Sequence, residues 1–533
     1  MISAFCGIVR FDGQLIPTGL SESMYSQMPS PLGLLTVTKK LPTATMTAAE
    51  MSQSDEALSA SSGTSLEFGD YMSASYKIRD ASLTLTASWG FVSLYYLVQD
   101  GFVAFSTHPN AFFAIPDVTL TPNIDQISRV LESRALDVEK TFYNEISQVR
   151  PGSKTVILQS EIKTTDLCNF KENRAVDSRN DSELGIFYNV FREAIQKRIV
   201  SKTATTLSAG LDSSAITAIT ADLLGENECK LLAITSSPKY TNESFAPDGC
   251  LNDESELASQ VTSSRKNIKH LILKSDGADI VASIQREVQL TGRPSFSPAN
   301  FFWIEDVVNC AANEGYKRLL IGQCGNGTIS WSPTMPRLLP KSRFFPNTPF
   351  NKYLKVAKYR LKNTNILRNS QLETIKMHSS MFDFWYHLSL RSGIEILDPT
   401  LDKTLIETLL AFPENAFYRD GVSRRLIRKG LKGLLPEKIL SNKKRGQQSS
   451  DIVARAKRQT TQINDALDQI SQSAAALKLL DIPRLREINN KIFLANLIEM
   501  SNEDFKKLDT ECTVEILRGL SVGFFLLKFL SKN

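Results

Sequence analysis

The sequence has few of the residues that build metal centres and disulfide frameworks. Its 533 residues include only four histidines, and its seven cysteines are scattered and never spaced as Cys-x-x-Cys. The histidines have no metal-ligand spacing, so neither a zinc site nor a disulfide framework is indicated. Met1–Phe5 also lacks the basic start of a secretory signal peptide. We therefore expect a cytoplasmic protein with reduced thiols.

Long apolar runs and a strong charge of one sign are missing as well. The apolar segment Leu520–Leu530 is short and contains Lys528, which predicts a buried helix and no membrane span. The formal net charge is +5 and no nucleic-acid-binding motif accompanies it, so we expect no nucleic acid as partner. Between Glu314 and Glu373 basic residues accumulate and acidic ones are absent. That run is more typical of a solvated helix face than of a surface for an acidic peptide or a partner protein.

The chain is too long for one ordinary hydrophobic core, which predicts two or three domains. Residues 1–165 are rich in strand patterns, such as the alternating segment Ser82–Ser88 and a hairpin signal at Asp100 and Gly101. The polar segment Thr47–Thr64 predicts a loop. In residues 180–533, a β-α-β pattern and one-faced helical stripes predict an α/β domain with a parallel sheet and a helical C-terminal part.

The segment Leu207–Ser214 carries the clearest chemistry. A β-prone run precedes it and a helix-compatible run follows it, so the sequence predicts strand, small-residue turn and helix. Small residues let the backbone approach a polyanion, and amides at a helix start point towards it. An aspartate inside the turn can hold Mg²⁺ against phosphates. We therefore predict that this turn binds a nucleotide, and the alternative is an ordinary Ser/Gly turn. The predicted nucleotide-binding residues are Leu207, Ser208, Gly210, Asp212, Ser213 and Ser214.

Four motifs in this order resemble the asparagine synthetase superfamily over nearly the whole chain. They are Phe5–Val9, Leu207–Ser214, Gly393–Asp402, and Leu435–Glu437 followed by Lys444–Gln447. The resemblance implies an N-terminal amidotransferase-like sandwich of the N-terminal-nucleophile type in residues 1–165. It also implies an ATP-dependent synthetase domain resembling adenine nucleotide α-hydrolases in residues 180–533. ATP and Mg²⁺ are the implied cofactors, and attack on the α-phosphate of ATP is the implied chemistry.

Two segments are similar to one branch of that superfamily, the macrolactam synthetases of lasso-peptide biosynthesis. They are Gly322–Gly327 and Arg445–Asp451. The similarity implies that an Asp or Glu side chain of a precursor peptide is adenylated and that the peptide's N-terminal amine then closes an isopeptide ring. The implied partners are that precursor peptide, a cysteine peptidase and a leader-binding protein. A glutamine-dependent asparagine synthetase, a β-lactam-type synthetase and a non-enzymatic scaffold are the alternatives.

The resemblance also implies roles for residues outside the turn. Glu395 matches a glutamate that helps to deprotonate the attacking amine, and Lys444 matches a lysine near the α-phosphate. Gly322 is expected to be a nucleotide-binding residue. Asn326 stands where the superfamily usually has a second Mg²⁺-binding aspartate. The alternatives are a helix-surface carboxylate for Glu395, a solvated basic loop or a shift of one position for Lys444, and a mere turn for Asn326.

Cys6 occupies the place of the glutaminase nucleophile in the resembling domain. A cysteine there needs a free α-amine as its base, and Met1–Phe5 precede it in this sequence. We therefore favour a buried structural thiol and an N-terminal domain without glutaminase activity.

Overall fold

The computed structural model describes most of the chain. The described residues are 2–29, 36–54, 56–65, 70–90, 93–137, 140–167, 182–333, 365–381 and 383–532. Cys168 and most of the basic run between Glu314 and Glu373 lie outside them. Among the described helices, none combines the length and the apolar character that crossing a bilayer requires.

The N-terminal part is built from two antiparallel six-stranded sheets that pack on each other. The first sheet has the order β10-β8-β9-β1-β3-β2 and the second has the order β12-β11-β7-β6-β5-β4. Helices α1 (Leu20–Ser26) and α2 (Ile124–Leu131) accompany them. The strands are β1 Phe5–Arg10, β2 Val37–Leu41, β3 Ala44–Ala48, β4 Met51–Ser54, β5 Ala57–Ser65, β6 Asp70–Lys77, β7 Ser82–Ala87, β8 Tyr95–Gln99, β9 Phe102–Ser106, β10 Ser147–Gln148, β11 Ser153–Ile157 and β12 Ile162–Asp166.

The hairpin prediction is confirmed, and the loop prediction for Thr47–Thr64 is wrong. Gly101 takes a positive φ of 84° between β8 and β9, which a tight hairpin turn requires. Thr47–Thr64 instead includes β4 and most of β5. Leu58 and Ala60 are buried there while Ser59 between them is partly exposed, so small polar residues alternate with apolar ones as in any half-buried strand.

The C-terminal part is centred on a five-stranded parallel sheet of order β16-β14-β13-β17-β18. Its strands are β13 Thr203–Thr206, β14 Leu231–Ser236, β16 Ile268–Leu273, β17 Arg318–Leu320 and β18 Glu395–Leu397. The predicted β-α-β unit is confirmed, because β13 and β14 are parallel neighbours joined by helix α4 (Leu211–Gly225). Short pairs are formed by β15 Cys250–Leu251, β19 Tyr418–Arg419, β20 Val422–Ser423 and β21 Arg445–Gly446.

Helices cover the sheet and dominate the remainder of the chain. Around the sheet they are α3 Ser182–Gln196, α5 Ser255–Ser263, α6 Ile280–Thr291, α7 Phe301–Asn313, α8 Asn365–Met381 and α9 Phe384–Ser392. Beyond β18 they are α10 Lys403–Ala411, α11 Glu414–Phe417, α12 Arg425–Gly430, α13 Glu437–Ser441, α14 Ile452–Lys457, α15 Thr460–Ile470, α16 Ala474–Leu479, α17 Ile482–Leu494, α18 Asn502–Thr510 and α19 Leu517–Leu526. A π-helical turn, Glu511–Ile516, joins α18 to α19.

Helix α19 connects the two halves of the protein. Leu517 and Leu520–Leu526 are buried, so the predicted buried helix is confirmed over this range. The ring of Phe525 packs edge-on against Phe142 and Tyr143 of the N-terminal part. Arg518 donates a hydrogen bond to the carbonyl of Val130 at the end of α2. The C-terminal helices therefore pack on both the parallel sheet and the antiparallel sheets.

Candidate active site

The site lies where the strand order of the parallel sheet reverses. From β13 the chain moves outward through β14 and β16, and it then returns to add β17 and β18 on the other side of β13. The loops that leave the carboxyl ends of β13 and β17 consequently diverge and leave a crevice, which is where open parallel sheets bind ligands. A cavity of about 980 Å³ opens there, and we call it the central cavity. Its size is at the upper end of small-molecule sites.

The loop after β13 is held by its own serines. Ser208 N–H donates to Ser213 Oγ at 3.1 Å, and the two hydroxyl oxygens are 2.9 Å apart. Gly210 N–H donates to Ser208 Oγ, and Gly210 is the N-cap residue of α4. The first N–H groups of a helix have no partner inside it, so this end of α4 is suited to an anion.

Asp212 is placed in the first turn of α4 with one oxygen unsatisfied. Its Oδ2 accepts a hydrogen bond from Ser330 Oγ at 3.0 Å. Its Oδ1 is shielded from solvent and has no hydrogen-bond partner among the described residues. Burial raises the pKa of Asp212 to about 6, although the Ser330 hydrogen bond and the Arg424 charge oppose that shift. A buried carboxylate oxygen without a partner is a natural ligand for a cation.

Asn326 is brought beside Asp212 by the loop after β17. Gly325, its neighbour, contacts the Asp212 carboxyl group, and both glycine and asparagine belong to a 3₁₀ turn. The Asn326 Oδ1 accepts a hydrogen bond from Arg424 Nη2 at 3.2 Å. Thus the amide oxygen of Asn326 stands where the resemblance implies a second carboxylate, and it already accepts a hydrogen bond from a guanidinium.

The donor set fits Mg²⁺ only when phosphate oxygens complete it. Within the described ranges there is no group of three or more His, Cys, Asp or Glu side chains positioned to hold a metal ion. Asp212 and Asn326 supply one carboxylate and one amide oxygen. Mg²⁺ commonly takes one or two protein carboxylates and fills its octahedron with water and substrate phosphates. The residues present therefore fit a nucleotide-bound Mg²⁺.

Basic side chains form another wall of the central cavity. Lys443, Lys444 and Arg445 all line it and are all exposed. Parallel pairing of β21 with β15 fixes this segment. The segment is also held next to the turn after β13, because Glu254 packs over Gly446 and accepts a hydrogen bond from Ala209 N–H at 3.0 Å.

The rest of the lining is apolar near the sheet and polar near the C-terminus. Ile234, Trp303, Val307, Ile321 and Trp385 form an apolar group that suits a flat ring or an aliphatic chain. Asn300 lies beside it and donates to Gln448 Oε1 at 3.0 Å while accepting from Ser449 Oγ. The C-terminal helices complete the cavity with Asp509, Thr513 and Arg518.

Two residues predicted for the site do not line the central cavity. Glu395 begins β18 and is paired with Arg318 at the start of β17, with the Arg318 Nε 2.7 Å from its Oε2. It therefore lies at the amino ends of the parallel strands, whereas the cavity is at their carboxyl ends, and its prediction as base is corrected. Ser214 is fully buried and donates back to the carbonyl of Ser208, so it shapes the turn from behind.

The remaining predicted residues surround the central cavity. Leu207, Ser208, Gly210, Asp212, Ser213, Gly322, Asn326 and Lys444 all line it. Sequence reasoning missed Arg424, Glu254 and Asp509 as lining residues. A signal existed for the first two, since Arg424 opens a basic stretch and Glu254 lies in an acidic stretch before α5. No sequence signal distinguishes Asp509 from other acidic residues of a polar helix.

Cys6 lies in an environment unsuited to nucleophilic chemistry. It is completely buried in the middle of the first sheet, with partners in β3 and β9, and its Sγ donates to the carbonyl of Ser21. Burial raises the pKa of this thiol far above its ordinary value. Since the thiolate is the reactive form, the described position keeps Cys6 inert.

Comparison with known proteins reveals relatives for the part that carries the cavity. The family model described as "Asparagine synthase" matches residues 187–495. The chain is 22% identical over 388 residues to "Asparagine synthetase [glutamine-hydrolyzing] 3" of Bacillus subtilis (strain 168). That alignment covers 67% of this chain and 63% of the relative, so the chain spans less than two thirds of the curated relative it matches. The family match includes the turn after β13 and the basic wall, and it ends before Asp509.

Proposed function

Because the chain belongs to the asparagine synthase family, we propose that it is an ATP-dependent, AMP-forming carbon–nitrogen ligase. One arrangement carries the proposal: the amino end of α4, Asp212 with its unsatisfied Oδ1, and the cations of residues 443–445 all face the central cavity. An anion-binding helix end and fixed cations around one crevice are what a triphosphate requires.

In the first step a substrate carboxylate oxygen attacks the α-phosphorus of ATP. The bond from that phosphorus to the bridging oxygen breaks, and pyrophosphate leaves. The turn Ser208–Ser213 holds the departing pyrophosphate through backbone amides and hydroxyls, while Lys444 faces the negative charge that develops at the α-phosphate. Fixed donors aimed at developing charge commonly contribute about 10²–10³-fold each to a rate. Mg²⁺ held by Asp212, Asn326 and phosphate oxygens would supply further charge neutralisation.

In the second step an amine nitrogen attacks the activated acyl carbon. The carbon–nitrogen bond forms, the carbon–oxygen bond to the phosphate breaks, and AMP leaves with that oxygen. The nitrogen loses one proton on the way to the amide. Glu395 does not line the central cavity and is paired with Arg318, so we assign the base to another group that faces the cavity.

For the substrate we propose a lasso-peptide precursor. Its Asp or Glu side chain would be activated, and its own N-terminal amine would close the macrolactam. One observation favours a peptide amine over glutamine-derived ammonia: Cys6 is buried without a reactive thiol. The central cavity also has room for a second reactant beside the nucleotide. A cysteine peptidase that exposes the amine and a leader-binding protein would be the partners.

The test is AMP formation with defined substrates. With a lasso-precursor peptide, the protein should convert ATP to AMP and pyrophosphate, and the peptide should lose the mass of one water. Aspartate with glutamine or ammonium should give no asparagine. Asparagine formation without peptide cyclisation would instead establish the asparagine synthetase alternative, and absence of AMP with every substrate would refute the ligase itself.

A further inference from the structure

The C-terminal helices contribute a wall of the central cavity that the family match does not include. The match ends at residue 495, and Asp509, Thr513 and Arg518 lie beyond it. The adenylating machinery sits within the matched residues. A wall outside them is where this chain can differ from relatives in what it binds beside the nucleotide.

Four carboxylates line the central cavity in the described part of the chain, and three of them already accept hydrogen bonds or pair with a cation. Asp212 accepts a hydrogen bond from Ser330 Oγ and faces the proposed metal. Glu254 accepts a hydrogen bond from Ala209 N–H. Asp451 pairs with Arg455 and also accepts from the backbone amides of two residues after β14. Asp509 has no hydrogen bond or ion pair to its carboxylate among the described residues.

Arg518, the cation that lines the same wall, forms no ion pair with Asp509. The Arg518 guanidinium donates to the carbonyls of Phe296 and Val130 and to Ser133 Oγ, and it stacks on the Phe296 ring at 4.5 Å. The Arg518 guanidinium therefore links neighbouring segments of the chain through these contacts. Burial raises the pKa of Asp509 to about 6, and no positive charge among the described residues offsets that rise.

The backbone around Asp509 is fixed with respect to the basic wall. Helix α18 runs into the π-helical turn, where Thr513 Oγ1 donates to the Asp509 carbonyl at 2.7 Å. Phe505 of the same helix stacks on Phe245 at 5.3 Å, and Phe245 N–H donates to the carbonyl of Ser450. Single π-helical turns inside helices are frequent at functional sites.

We infer that the Asp509 carboxylate binds the protonated α-amine of the peptide substrate. This inference rests on the proposed ligase function and assigns the amine end of its substrate. An ammonium group offers one positive charge and three N–H donors to an anion that has neither counter-ion nor donor in the described part of the chain. The pairing relieves the cost of the buried charge and holds the amine in the same cavity as the activated carboxyl group. The bound ammonium gives one proton to solvent before it attacks, and it loses the second as the amide forms.

The experiment measures amine binding directly on the full-length protein. Glycinamide serves as the α-amine probe, N-acetylglycinamide as its neutral match, and Nα-acetyl-lysinamide and ammonium chloride as other amine sources, each titrated by saturation-transfer NMR. Glycinamide should bind the wild type, and Asp509→Asn should weaken it at least about tenfold, as for loss of a charge-assisted contact. Glu503→Gln removes an exposed charge from the same helix and should leave the affinity unchanged.

Equal glycinamide affinity in wild type and Asp509→Asn would overturn the inference. The inference would also be overturned if the wild type bound N-acetylglycinamide as tightly as glycinamide. The same holds if it bound ammonium or Nα-acetyl-lysinamide but not glycinamide. A fluorescent ATP analogue titrated in parallel separates this result from the proposed function. Loss of amine binding with ATP binding kept supports the amine site, whereas a wild-type protein that binds amine but no ATP refutes only the ligase.

Discussion

Gly325 faces the carboxyl group of Asp212 with no room for a side chain. A Cβ at residue 325 would lie 2.4 Å from the Asp212 carboxyl carbon and 2.7 Å from its Oδ1. Real Cβ atoms do not approach other atoms that closely. The loop after β17 therefore determines where the Asp212 carboxylate sits, and the glycine makes that close approach possible.

Gly325→Ala should displace the Asp212 carboxylate and reduce AMP formation by at least about 100-fold, because a shift near 1 Å in a catalytic group costs that much. Gly277→Ala is the matched control, since a Cβ at residue 277 meets nothing within 4 Å. The measurement is the rate of AMP release at saturating ATP. A Gly325→Ala protein with normal turnover would show that the carboxylate position is unimportant.

Asp212→Asn should abolish exchange of pyrophosphate into ATP while leaving the fold intact. The amide keeps the shape and the Ser330 contact but loses the charge that a hard cation requires. Asp222→Asn on the same helix is the control, because Asp222 is exposed and pairs with Arg265 away from the cavity. Mg²⁺ dependence of ATP-analogue binding gives a second readout, and a wild-type dependence in Asp212→Asn would remove this residue from the metal site.

The nucleotide end of the site could be predicted from the sequence because its determinants are local. The strand, the turn and the helix around Asp212 are contiguous, and small residues at fixed spacing specify the turn. The same locality explains the success with the Gly101 hairpin. By contrast, the polar composition of Thr47–Thr64 wrongly predicts a loop, although the alternation around Leu58 and Ala60 carries the strand signal.

The remainder of the cavity depends on contacts distant in sequence. Arg424 reaches Asn326 across 98 positions, and nothing near either residue signals the pair. The prediction of Glu395 for the site rests only on its match to a superfamily glutamate within the motif Gly393–Asp402. The motif contains a whole strand, and three residues along a strand span about 10 Å. Only the pairing of Glu395 with Arg318 reveals that it lies at the opposite edge.

Lys444→Ala should slow AMP formation by about 100-fold, whereas Lys443→Ala should change it less than about threefold. The two lysines are adjacent and both line the central cavity, so each variant controls for the loss of net charge in the other. Single-turnover rates with ATP and peptide are the measurement. The reverse pattern would move the catalytic lysine by one position and retain the basic wall.

Glu395→Gln should leave the rate of ring closure within about twofold of the wild type. The Arg318–Glu395 pair is partly exposed, with side chains 19% and 27% accessible, so its loss should cost only about 0–1 kcal/mol of stability. Arg318→Gln should have the same small effect. A large loss of turnover in Glu395→Gln but not in Arg318→Gln would restore the glutamate as a base.

Asp509→Asn should make the substrate-free protein more stable at neutral pH. The folded-state pKa of Asp509 is raised to about 6 by burial, so the folded protein resists ionisation that the unfolded chain permits. This penalty is absent below about pH 4 and grows until the pH passes about 6. Two pKa units correspond to at most about 3 kcal/mol, and partial exposure of the carboxyl group lowers that figure. Differential scanning calorimetry from pH 4 to 8 should show the melting temperature of Asp509→Asn rising above that of the wild type across this interval, while Glu503→Gln stays parallel to the wild type. A constant difference at every pH would mean that Asp509 is solvated and carries no buried charge for a substrate amine to neutralise.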